Sequence, residues 1–72
     1  MSPEKMVHMA NQIAAFFKTQ PGADVAEKVA VHLTDFWEPR MRAQFLAYVA
    51  EGGAGLDPAV VAAATRLKPV SA

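Results

Sequence analysis

His8 and His32 are the only imidazoles in the chain, and their positions put them on different helices. A metal centre needs three or four convergent ligands, and neither histidine has a second one four residues away. With no cysteine anywhere, thiolate metal sites and a disulfide framework are excluded. The hydroxyl residues Ser2, Thr19, Thr34, Thr65 and Ser71 form no nucleophile–base–acid grouping that spacing reveals. Ser2 is explained by helix capping and Thr34 by a bond back to its own helix. Gly52-Gly53-Ala54-Gly55 follows a helix rather than a strand and lacks the Lys-Ser/Thr of a phosphate-binding loop. Asp57, ahead of the next helix, would repel a phosphate where the helix dipole attracts one. The glycines therefore make a turn, and no catalytic, cofactor-binding or metal-binding residue is assigned.

The chemistry these residue types do support is adhesion, concentrated between His32 and Arg42. The run holds the only Trp, a proline where one helix must stop and another can start, and a cluster of charge. Trp and Arg dominate binding hot spots, so Trp37 beside Arg40 is an interface pairing; covering the core is the competing role of Trp37. Arg40 falls in the first turn of a helix, where the dipole disfavours a cation by up to ~1 kcal/mol. Two partners compete for it: Asp35 across the corner, or a carboxylate or carbonyl on another chain. Arg42 lies four residues after Glu38, the favourable order for an exposed pair worth only ~0.3–0.5 kcal/mol. Asp35 is also within reach of His32 along the same helix.

The whole chain sets the frame. At 72 residues it is one small domain, 1–72, with a flexible tail expected over 68–72. A core of this size contributes ~3–5 kcal/mol net and leaves little room for a substrate pocket. Seven basic and seven acidic side chains cancel, so no concentrated basic surface for nucleic acid is evident. The 53% hydrophobic content is high for so short a chain, and some apolar surface must stay outside. No apolar run approaches a membrane span and no secretory signal is present at the N-terminus, which makes a cytoplasmic protein the expectation.

Four helices position these residues. Ser2-Pro3-Glu4 starts the first, over 3–18, with Met6, Met9, Ala10, Ile13, Phe16 and Phe17 as its apolar stripe and Val7 and Ala14 widening it. Asp24 to Glu27 reads as a capping box for a helix over 24–36, striped by Val25, Val29, Leu33 and Phe36. Pro39 opens a third helix, 39–51, with Met41, Phe45, Tyr48 and Val49 inward. Asp57-Pro58 opens a fourth, 58–67, closed by Pro69. No strand-like alternation occurs. The expectation is an all-α, single-layer bundle of about four short helices.

Met9-Ala10-Asn11-Gln12-Ile13, then Phe16-Phe17, His32, the run Phe36-Trp37-Glu38-Pro39-Arg40-Met41-Arg42, and finally Gly52-Gly53 with Gly55-Leu56 resemble a known family. They are similar to the delta subunit of soluble NAD-dependent, molybdenum-containing formate dehydrogenase. The resemblance spans nearly the whole chain, and the Phe36–Arg42 run is its specific part. Glu38 departs from the Asp expected there, and Glu is a poorer N-cap. The resemblance implies a non-catalytic accessory subunit of a cytoplasmic complex that oxidises formate to carbon dioxide with NAD. It would bind the molybdenum-bearing subunit and support its assembly, stability or maturation. The molybdenum pterin, iron–sulfur clusters and FMN would sit in partner subunits, with no cofactor in this chain. Asn11, His32, Trp37, Pro39, Arg40, Met41 and Arg42 would then be partner-binding positions. The alternative is a free-standing helical regulator that binds protein or nucleic acid.

Overall fold

A computed structural model describes residues 2–21 and 24–67. It contains four α-helices: α1 Pro3–Lys18, α2 Val25–Phe36, α3 Pro39–Ala50 and α4 Pro58–Ala64. No strand occurs among the described residues. The expected tail, 68–72, and Gly22 of the first turn lie outside them.

Local chemistry places three of the four starts. Ser2 Oγ accepts from the Lys5 amide at 3.3 Å, Asp24 Oδ1 from Glu27 at 3.3 Å and Asp57 Oδ1 from Ala59 at 2.9 Å. Each satisfies an amide that has no partner within its own helix. Pro3, Pro39 and Pro58 occupy the opening turns of α1, α3 and α4, where a missing N–H costs nothing. Glu38, at the N-cap of α3, makes no side-chain cap bond.

The stops are equally local, with one difference from expectation. α3 ends in a Schellman motif, with Gly53 N bonded to Tyr48 O at 3.0 Å and Gly52 N to Val49 O at 3.0 Å. Gly52 has φ of +123°, a conformation that a side chain opposes. Gly52→Ala is therefore expected to lower stability by about 1 kcal/mol or somewhat more, read from urea denaturation. A result at or above wild-type stability would show that the turn tolerates a Cβ. α4 is shorter than the 58–67 expected. Thr65 directs both its N–H and its hydroxyl to Ala62 O, at 3.2 and 2.8 Å. The chain then tightens into i→i+3 bonds through Leu67.

The core is built on α2, which packs chiefly on α4 and then on α1. Met6, Ala10 and Ala14 from α1 meet Val29, Ala30 and Leu33 from α2 and Val60, Ala63 and Ala64 from α4. Phe45 is the residue of α3 that is fully buried, and Met41, Leu46, Tyr48 and Val49 pack against the edge.

The apolar stripes are rotated from their expected centres. Ala14, Ala26 and Ala30 are buried, whereas Phe16 at the end of α1 is 59% exposed and Phe36 at the end of α2 is 74% exposed. Alanine lets helix backbones approach closely, and a large ring in its place would force them apart. The small residues took the interior, and the two phenylalanines were left outside.

Candidate docking surface

The corner between α2 and α3 is held from within. Trp37 leaves the helix with ψ of 135° while its amide still reaches Leu33 O at 3.1 Å. Its indole is 5% exposed and stands edge-on to Phe45, with ring centroids 6.0 Å apart. This is the core-covering role of the two open to it. Arg42 does not form the expected pair with Glu38. Its Nη1 donates to Thr34 O at 3.1 Å and to Trp37 O. Those carbonyls belong to the last turn of α2, where acceptors lack helical partners and the dipole is negative. A cation bonded to two such oxygens is better placed than one beside an exposed carboxylate.

Asn11 is also turned inward. Its Nδ2 donates to Gly55 O at 2.9 Å and its Oδ1 accepts from Asp57 N at 2.8 Å, which ties the middle of α1 to the loop that starts α4. Met41 is half-buried against the core. Pro39 and Arg40 are exposed. Arg40 makes no ion pair among the described residues, so Asp35, one of the two partners that compete for it, is not engaged.

His32 lies elsewhere, on the face that α2 shares with the second half of α1. Its ring sits between Phe17, with centroids 6.1 Å apart at 70°, and Phe36, at 4.7 Å and 32°. Phe16 packs edge-on against Phe17 at 5.3 Å. Two adjoining depressions share Phe16, Phe17 and His32. One extends towards Met9, Ile13 and Trp37, the other towards Val31 and Phe36. Val31 is 50% exposed. The result is an aromatic groove open to solvent, whose most exposed rings the stripe reading assigned to the core. The available signal was the crowding of alanines beside each stripe, which offers the helices a second, closer packing face.

Ion pairs among the described residues tie the ends of α1 and α4 to the starts of α4 and α2. Lys18, closing α1, pairs with Asp57, the cap of α4. Arg66 bonds Asp24 at 2.5 Å and Glu27 at 3.4 Å, which joins the end of the chain's core to the start of α2. The Lys18 ammonium first, and the Ala59 amide second, hold the Asp57 carboxyl below its ordinary value of 3.8. Asp24 is lowered chiefly by Arg66. A depressed carboxylate contributes its full stabilisation above the ordinary value and loses it as pH falls through the folded-state value. Thermal stability is thus expected to drop as the medium is acidified below about pH 4. Asp57→Asn, which keeps an oxygen for the cap, should shrink the drop without abolishing it, because Asp24 titrates over the same range. An unchanged acid limb would remove Asp57 from the account. The effect is modest because the pairs face solvent.

No group of three or more His, Asp or Glu side chains converges in metal-binding distance among the described residues. With no Cys in the chain, its donor set does not suit an iron–sulfur cluster. No helix among the described residues is long and apolar enough to cross a membrane.

Against known proteins, residues 5–64 match the family model described as the NADH-dependent formate dehydrogenase delta subunit, FdsD. No curated protein matches the chain.

Proposed function

The chain belongs to the FdsD family of formate dehydrogenase delta subunits, and from that membership we propose a non-catalytic accessory role in a cytoplasmic, NAD-dependent enzyme. It binds the molybdenum-bearing subunit and supports that subunit's assembly, stability or maturation. Other subunits carry the molybdenum pterin, the iron–sulfur clusters and FMN, and with them the oxidation of formate. The observation that carries this reading is the surface. Phe16 and Phe36 stay more than half exposed around a shared groove in a chain with few large side chains to spare. Contiguous apolar surface of this kind marks an interaction site.

Within this reading the seven positions divide by what they do. His32, Pro39 and Arg40 are contact positions. Asn11, Trp37, Met41 and Arg42 act on binding by holding the surface in shape.

The test is co-expression of the other dehydrogenase subunits with and without this chain. Recovered complex, its molybdenum content and formate-dependent NAD reduction should all fall when the chain is omitted. The purified chain alone should not turn over formate and NAD. Full assembly and activity without it, or turnover by the chain alone, would overturn the proposal.

A further inference from the structure

We infer that the aromatic groove between α1 and α2 receives an amphipathic α-helix from another subunit of the dehydrogenase, oriented by Lys28 at one end and Asp35 at the other. The inference rests on the accessory role proposed above and adds the surface and the chemistry of the occupant. Lys28 and Asp35 both line the depression floored by Phe17 and His32. They stand seven residues apart on α2, two helical turns or about 10 Å along one side of the groove. Neither takes part in an ion pair among the described residues, whereas the neighbouring Glu27 is already engaged by Arg66.

The matching ligand therefore has an apolar stripe at i, i+3, i+4 and i+7, which meets Phe16, Val31 and Phe36. On its flank it carries a carboxylate facing Lys28 and, two turns away, a Lys or Arg facing Asp35. Apolar contact supplies the affinity, and the two charges of opposite sign fix the direction in which the helix lies. A second copy of the chain could offer the same pair of charges in a two-fold arrangement. The accessory role proposed above puts another subunit on this surface, and the oligomeric state of the isolated chain separates that occupant from a second copy.

Three variants test this in the co-expressed complex, with a tag on the molybdenum-bearing subunit. The first is Phe16→Ser with Phe36→Ser. The second is Lys28→Glu, and the third is Lys28→Glu with Asp35→Lys, which keeps net charge but reverses the order of the ends. Circular dichroism of each isolated chain checks that the helices remain, and the surface charge variants stand in if the double Phe variant does not fold. The amount of this chain retained per tagged subunit is expected to fall about tenfold or more with the Phe pair, as for loss of a hot spot. It should fall, and depend on salt, with each charge variant. Wild-type retention of the folded variants overturns the groove but leaves the accessory role standing. Failure of the wild-type chain itself to be retained overturns the accessory role. If the isolated wild-type chain is a dimer that the same variants make monomeric, with retention in the complex unchanged, the occupant is a second copy and the inference is wrong.

Discussion

Phe45→Ala should leave the isolated chain largely unfolded at room temperature. Phe45 is fully buried, contributes the completely enclosed side chain of α3 and supports the Trp37 indole edge-on. Truncating a buried Phe costs about 3–5 kcal/mol, the lost transfer energy plus that of the cavity left behind. The net stability available to a domain of this size is also only about 3–5 kcal/mol. One substitution can therefore remove nearly all of it. Far-ultraviolet circular dichroism and urea titration provide the measurement. Phe45→Leu should be milder, with a loss of about 1 kcal/mol, since most of the volume remains. A Phe45→Ala chain that unfolds cooperatively at wild-type denaturant concentration would show that the α2–α3 corner does not rely on this ring. Binding to a partner adds stability by mass action, so the same variant should be better folded within the complex than alone.

The second large effect is expected at Arg42. Arg42→Ala leaves the carbonyls of Thr34 and Trp37 without the guanidinium that now bonds them, at the end of α2 and beside the buried indole. Hydrogen bonds from a charged donor are worth about 1.5–3 kcal/mol, and the partial exposure of the site puts the loss towards the lower figure. Arg40→Ala is the control. That side chain is exposed and makes no ion pair among the described residues, so its removal should change stability by no more than about 0.5 kcal/mol. Chemical denaturation of the two variants side by side decides the matter. Equal losses would mean that the two bonds contribute nothing beyond the charge of the region. In the assembled complex the ranking should reverse in character: Arg40→Glu should affect association with little change in folding, and Arg42→Ala should act through folding.

The contrast between those arginines shows where sequence spacing is ambiguous. Glu38 and Arg42 are four residues apart, which is enough to expect a pair along one helix. Arg42 is also eight residues from Thr34 and five from Trp37, separations that mean nothing until Pro39 turns the chain. Once α3 departs from the corner, the same guanidinium comes within reach of the carbonyl end of α2. Those carbonyls lack other helical partners, whereas the exposed Glu38 carboxylate is satisfied by water. Asn11 is a similar case. Nothing in its local surroundings announces a partner 44 residues away at Gly55, and only the packing of α1 beside the loop before α4 brings them together.

By itself the sequence determined where the helices begin and, for three of them, where they end. Caps, prolines and the glycine turn act over three or four residues, and Ser2, Asp24, Asp57, Pro39 and Gly52 do their work without reference to the rest of the fold. Periodicity also determined that each long helix has an apolar side. The tertiary structure decided which part of that side faces inward, because an apolar stripe is wide enough to be centred in more than one way. Close packing of Ala14, Ala30, Ala63 and Ala64 brings the backbones together and excludes large rings from between them. That choice, made between helices and not within any one of them, set Phe16 and Phe36 around His32 at the surface.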